Sequence, residues 1–511
     1  MKALQICSFK PLQKWNLKSL KIFFGFLVLL SALAVNAQTP TVPKFRLTLY
    51  SEPQSLKLQT QKNSNSLYLL NQLYRPLLRL EGNSLVDELA DRCLYQNNQK
   101  LLCKIKRNIN FSDGTIITAK DIVDSFKTFI DPNSKTVRAD LLFAVKNAED
   151  IFLGKKPLSE LGIKAESVDE IVFELNRPDS EFIYMLANPL LSIQKGDLFT
   201  GPFMVKDWQK GKTITLKRNI YYWKKNLSPV EIEFRFVNED SVALSLYEMG
   251  KLDMVRRIST LFIPKLKNRK DYFEIDQYRF DYLGFNPSLN LQIRQALSQS
   301  IPYDQFQKLY YGKPRPGCPG IPTESLIESD CINTDIPKAQ QIYKSMDPQN
   351  NQTKLKFVYS KLGGDNHYRT AEWLQWNWQK NLGVTVLVEG IENKLFLEQI
   401  KSKAPPIFRK GISPERPTCL AALEIFVEDH PENYLKIDTA EFRQWVKEMS
   451  EELDPVKKSG LCKKGINFLL SNYYLIPTGP IFFSMLINTK WSGWKLNQLN
   501  NLDLSEIKFT P

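Results

Sequence analysis

Two serine–lysine pairs are the first residues whose spacing could do covalent chemistry. Ser192-Ile-Gln-Lys195 and Ser505-Glu-Ile-Lys508 carry the Ser-x-x-Lys spacing of penicillin-interacting serine enzymes. Neither has a supporting Lys-Thr-Gly element. No Gly-x-Ser-x-Gly elbow occurs, and no cysteine stands as an obvious nucleophile beside a histidine. Short patterns of this kind arise by chance, so an exported hydrolase is the less favoured alternative and the chain reads as a non-enzyme. Its two histidines, His367 and His430, are too few to complete a zinc site with widely spaced cysteines, and neither metal nor cofactor is expected.

Cysteine chemistry points to disulfides. Cys7 lies in the N-terminal leader. Cys93, Cys103, Cys318, Cys331, Cys419 and Cys462 remain, an even number in a chain read as exported, for which 15 connectivities are possible. Cys93 and Cys103 flank Gln96-Asn97-Asn98-Gln99, a hairpin-turn signal compatible with a cross-strand bridge. Cys318 and Cys331 bracket a Pro/Gly-rich loop, which leaves Cys419 with Cys462.

The export reading rests on residues 1–37. Lys2, Lys10, Lys14, Lys18 and Lys21 form a basic lead, and Ile22 to Val35 is an apolar run of signal-peptide length, too short for a clear membrane span. Val35-Asn36-Ala37 offers a small-residue cleavage site. No cysteine closes the run, so no lipid anchor is expected; an uncleaved anchor is the alternative to cleavage. Removing five lysines from the formal charge of +14 leaves about +9. That charge is scattered among carboxylates without a long basic run, which does not suit a nucleic-acid surface.

Alternating and helical patterns interleave along the rest of the chain. Phe45 to Tyr50, Ile171 to Leu175, Thr213 to Lys217 and Val384 to Glu389 read as strands, and residues 86 to 109 as a hairpin. After the Asp113-Gly114 turn, Thr118 caps a helix with Asp121 three residues on, and Ile122, Val123 and Phe126 form its apolar stripe. Residues 290 to 310 and 365 to 381 read as helical. The pattern is that of a mixed α/β protein.

Phe111-Ser-Asp-Gly-Thr-Ile-Ile-Thr-Ala-Lys-Asp-Ile-Val-Asp-Ser-Phe126 resembles a signature of the bacterial extracellular solute-binding proteins of family 5, the peptide-binding components of ABC importers. Thr200 to Trp208, Leu283-Gly-Phe-Asn286 and Trp494 to Asp503 match further family segments in order. Asn147 to Pro157 and Leu161 to Ala165 are most similar to the oligopeptide branch. The resemblance implies a two-lobed periplasmic-binding-protein (Venus-flytrap) fold with an extra subdomain. Residues 38–255 and the return 479–511 would form one lobe, with about 86–195 as its subdomain. Residues 256–478 would form the other, with hinges near Asp253 and Thr478. It also implies a monomer in the periplasm that captures a peptide or peptide-like solute by hinge closure and delivers it to ABC permease subunits and their ATPases. A periplasmic sensor or chaperone of the same fold is the alternative.

For the ligand, the resemblance points to Ser51, Glu52, His367, Arg409, Gly411 and Glu415. Glu415 stands where the family holds a peptide ammonium with an aspartate, one methylene longer. Arg409 and His367 stand at the carboxylate end, where a planar guanidinium suits bidentate pairing. Departures are Ile412 for a tryptophan, Pro414 for a residue with a backbone donor, Ile400 for a second arginine and Lys57 for an aspartate.

Overall fold

The computed structural model describes residues 42–511 except 62–63, 83, 257, 259–261, 310–315, 319–330, 347–353, 362–363, 429 and 431. The leader, with its proposed cleavage site and Cys7, lies outside the described residues. Among those described, no helix is long and apolar enough to cross a membrane.

A ten-stranded mixed sheet runs through the molecule. Its order is Val386–Ile391, Leu355–Ser360, Ile407–Ile412, Tyr272–Phe285, Leu475–Ile487, Met254–Arg256, Lys44–Leu49, Glu231–Phe236, Thr213–Arg218 and Phe203–Gln209. The two central strands are by far the longest and pair antiparallel from Tyr272↔Leu486 to Gly284↔Leu475, with register shifts between Asp276 and Phe280 and between Asp281 and Tyr282. One end of this ladder also pairs with Met254–Arg256, the other with Ile407–Ile412. The halves of the protein therefore share one continuous pair of strands.

Separate hydrophobic cores flank the ladder. One packs Tyr282, Phe357, Trp378, Phe408 and Phe426; a second packs Phe45, Leu47, Phe234, Met485 and Leu504. A third, with Phe111, Phe126, Phe173 and Phe182, lies over a four-stranded sheet built from Ala90–Asn97, Lys100–Ile105, Glu170–Glu174 and Ile163–Ala165. The molecule is thus two-lobed with an added subdomain. The subdomain helix Ala119–Ile130 starts at a full capping box between Thr118 and Asp121 and buries Ile122, Val123 and Phe126. Cys93 and Cys103 lie directly opposite in its hairpin, with Cα atoms 4.1 Å apart, and are bonded; Cys318–Cys331 and Cys419–Cys462 are bonded too. The 290–310 segment forms two helices, Leu291–Gln299 and Tyr303–Lys308, because Pro302 has no amide to continue the first.

A buried ion network fastens the subdomain edge to the C-terminal segment. Arg75 Nη2 meets Asp503 Oδ1 at 2.7 Å and Arg75 Nε lies 3.4 Å from Glu88 Oε1. Arg79 Nε meets Glu88 at 3.1 Å, and the Tyr222 hydroxyl donates to Glu88 at 2.5 Å. Burial pushes the Asp503 carboxyl up, but Arg75 and Arg79 outweigh it and hold it well below the usual range. Replacing Asp503 by Asn leaves Arg75 without its closest counter-charge in a buried site, a change expected to cost about 3–5 kcal/mol. The thermal midpoint of Asp503→Asn, followed by circular dichroism, should fall by several degrees; an unchanged midpoint would refute this role.

Candidate functional site

The strand Tyr272–Phe285 places Asp281 opposite Gly411 and Leu283 opposite Arg409. In an antiparallel pair such diagonal neighbours share a face and lie within reach of long side chains. Arg409 Nη2 accordingly meets Asp281 Oδ2 at 2.5 Å, with both side chains almost fully buried. Arg279 Nε donates to the other oxygen of Asp281 at 3.0 Å. Gly411 makes room for this. A Cβ there would sit 2.2 Å from Asp281 Oδ1 and 2.6 Å from Arg279 Nη2. Glycine at this position is therefore a steric requirement of the ion cluster.

His367 completes the wall from the first turns of the helix Gly364–Leu382. Its Nδ1 donates to the Ser360 carbonyl at 2.8 Å, which leaves Nε2 to accept from Arg409 Nη1. Burial, and next the Arg409 charge, hold the imidazole down to about 4, so it is neutral at physiological pH. Burial raises the Asp281 carboxyl, but Arg409 and Arg279 outweigh it and the net shift is downward. The Arg409 Nε has no hydrogen-bond acceptor among the described residues.

These side chains line a cleft of about 1340 Å³. Small-molecule pockets usually measure roughly 300–1,000 Å³, so an extended ligand fills this volume better than a compact one. His367, Arg409, Gly411 and Glu415 all border it, and the structure thus brings four of the sequence-derived residues together. Glu415 lies across from the subdomain, where Arg138 Nη1 donates to its Oε1 at 2.9 Å and Asn188 Nδ2 to its Oε2 at 3.4 Å. Arg138 also pairs with Asp140 at 3.0 Å.

Ser51 and Glu52 do not border the cleft; their neighbour Tyr50 does. Glu52 accepts from Trp208 Nε1 at 2.8 Å and from the Gly211 amide at 2.9 Å, which holds it on the hairpin of Phe203–Gln209 and Thr213–Arg218. Ile400, at the place of an expected arginine, is fully buried in the second-lobe core. The serine–lysine pairs do not form a nucleophile and base. Lys195 pairs with Asp121 at 2.7 Å, while Ser505 Oγ donates to Asp503. Among the described residues no cluster could hold a metal ion.

The sequence reading missed Arg138, Arg279 and Asp281. A signal for the last two was present: in Tyr278-Arg279-Phe280-Asp281-Tyr282 the aromatic residues alternate with two opposite charges, so a strand must put both charges on one face.

The paired long strands, the flanking lobes and a large cleft bordered by residues of both define a two-lobed binding-protein fold. The pattern of "Bacterial extracellular solute-binding proteins, family 5 Middle" matches residues 85–433, and the chain belongs to that family. Among curated proteins it is similar to the oligopeptide-binding protein OppA of Bacillus subtilis, 24% identical over 86% of this chain and 87% of that one. Among solved structures it is similar to the murein-tripeptide-binding protein MppA in its unliganded open form, with TM-score 0.78, 19% identity, and coverage of 92% of this chain and 98% of that chain. Listeria monocytogenes OppA bound to peptide matches with TM-score 0.69, 21% identity, and coverage of 92% and 100%.

The shifts carry a pH consequence. The folded His367 titrates near 4, below its ordinary 6.5, so the unfolded chain binds the proton more readily between these values. Its contribution is fully present above about pH 6.5 and is lost as pH falls toward 4. Urea unfolding from pH 7 to 4 should show stability declining, and His367→Gln should flatten that interval. An identical slope in the variant would remove the assignment.

Proposed function

We propose that this protein captures peptides or peptide-like solutes outside the cytoplasm and hands them to the permease of an ABC transporter. The observation that carries the reading is the placement of Arg409, His367, Gly411 and Glu415 around one extended cleft, supported by peptide binding in the relatives' names. In this reading residues 1–37 are a cleaved export signal and the protein works as a monomer without catalysis. By the resemblance, residues 38–255 with 479–511 form one lobe, about 86–195 its subdomain, and 256–478 the other. In this reading the lobes bend at the register shifts of the long ladder, near Gln277–Arg279 and Thr478–Pro480, so that residues 256–276 move with the first lobe.

Each wall has a role. Arg409, oriented by Asp281 and the neutral His367, brings positive charge to the acidic end of the ligand. Glu415 has a side chain 45% exposed and spare lone pairs beyond those given to Arg138 and Asn188, and it takes the ligand's ammonium. Closure needs a ligand that binds the closed arrangement better than the open one, since only that difference shifts the population.

Thermal-shift measurement of the purified protein against peptide pools tests the assignment. A peptide at a hundred times its dissociation constant should stabilise the fold by about 2.7 kcal/mol and raise the midpoint. If no peptide did so while another solute did, the peptide reading would fail. Glu415→Ala should weaken free peptides more than their N-acetylated forms, measured by calorimetry; equal losses would end its role at the ammonium.

A second cross-lobe contact yields a further expectation. Glu181 of the subdomain is buried against Arg416 Nε at 3.1 Å, Lys458 Nζ at 2.7 Å and the Thr418 hydroxyl at 2.6 Å. Glu181→Gln removes the charge that both cations share and should change the apparent affinity for a ligand without touching it. Small-angle scattering should show a more extended unliganded protein. An unchanged profile and affinity would mean this contact does not bias the lobes.

A further inference from the structure

Resting on the reading of this cleft as the solute site, we infer that its preferred ligand is an acidic peptide, one of whose carboxylates is held by Arg279. Most charges on the cleft wall are already committed. Among the bordering carboxylates, Asp140 is bound by Arg138, and Glu424 is gripped through both oxygens by Arg416 at 2.8 and 2.9 Å. Glu432 lies 3.9 Å from Lys410, and Glu415 is shared between Arg138 and the ligand's ammonium. Among the described carboxylates of the wall, Asp140, Glu415 and Glu424 are each held by an arginine, and Glu432 alone is loosely held.

The cations are not balanced in the same way. Arg279 and Arg409 share the single carboxylate of Asp281, so among the described residues this corner keeps one positive charge uncompensated. His367 adds no negative charge to offset it. Of the two guanidiniums, Arg409 is buried and held by Asp281 and His367. Arg279 is different. Its side chain is 44% exposed, borders the cleft, and spends only its Nε on Asp281. Its two terminal amino groups have no acceptor among the described residues, and they form one edge of a planar fork suited to a carboxylate. The bond from Nε to Asp281, together with the bare face of Gly411 beside Nη2, fixes where that edge lies before a ligand arrives.

Such a corner selects by charge. A ligand carboxylate gains a charge-assisted, two-pronged contact with a pre-positioned donor. A basic side chain meets uncompensated positive charge and committed acids. The carboxylate that sets an acidic peptide apart is a side chain, since every unblocked peptide ends in a C-terminal one.

Calorimetry of the purified protein with peptides of one length, acidic, neutral or basic and each free or C-amidated, tests this. Acidic peptides should bind at least about tenfold tighter than basic ones, the scale of one hydrogen bond to a charged group. Arg279→Met should shrink that ratio by about tenfold, and Arg279→Lys, which keeps the charge but loses the fork, should restore part of it. Acidic preference that survives amidation and shrinks in Arg279→Met supports the inference; amidation that reproduces the whole loss in Arg279→Met would place the C-terminus at Arg279 and overturn the acidic preference. Equal binding of acidic and basic peptides, or an unchanged ratio in both variants, would overturn it while leaving peptide capture intact. Absence of binding by every peptide would overturn both.

Discussion

A carboxylate taken out of water must be answered by cations, and the site is organised around one such case. Asp281 is almost fully buried on the strand where the two halves of the protein meet. Removing it from water without partners would cost several kcal/mol, so Arg409 must reach it from the neighbouring strand and Arg279 from its own. Both contacts depend on register. A slip of one residue between Phe280–Phe285 and Ile407–Ile412 would reverse the faces and turn the acid away from Arg409. Gly411 follows from the same demand, because any Cβ there collides with the carboxylate. The pairing of the strands, the missing side chain and the fixed tautomer of His367 are thus consequences of one buried charge.

The long ladder explains how a protein can be divided and still be one body. Each lobe has its own apolar core, yet Tyr272–Phe285 and Leu475–Ile487 belong to both. A bend at the register shift between Asp276 and Phe280 can re-aim the lobes without breaking either core, since bulges are where a ladder gives up regular pairing and bends. The C-terminal segment needs a separate anchor once it leaves the ladder. Asp503 between Arg75 and Arg79 supplies it, with the Ser505 hydroxyl and amide satisfying the same carboxylate.

What was legible in the sequence was local. The Thr118–Asp121 box, the turn between Cys93 and Cys103 and the strand read at Phe45–Tyr50 are each specified by neighbours along the chain, and they stand in the structure, the strand one residue earlier at Lys44–Leu49. Family motifs added the two-lobed architecture, which no local pattern contains. The misses are contacts between distant segments. Arg138 meets Glu415 across 277 residues of sequence, and Glu52 is claimed by Trp208 across 156. An exposed arginine and an exposed glutamate read alone as solvated charges; only the fold says which of them face each other. Asp281 and Arg279 were legible in principle, as opposite charges two apart in an aromatic strand, but a solvent-facing pair has the same spelling.

The pair between Glu415 and Arg138 bears on how binding and closure are coupled. Its side chains are 45% and 34% exposed, so as an isolated contact it contributes little, on the order of 0–1 kcal/mol. Its position matters more than its strength. One partner sits on the second lobe and the other on the subdomain, so the bond exists only when these are close. In the proposed reading, a ligand ammonium joining Glu415 would dilute the hold of Arg138, while Asp140 keeps that arginine paired. The exchange therefore strands no buried charge, which would otherwise set a penalty of several kcal/mol against every ligand. A weak, exposed and doubly provided contact of this kind would let the lobes meet without a ligand and still yield the place to one.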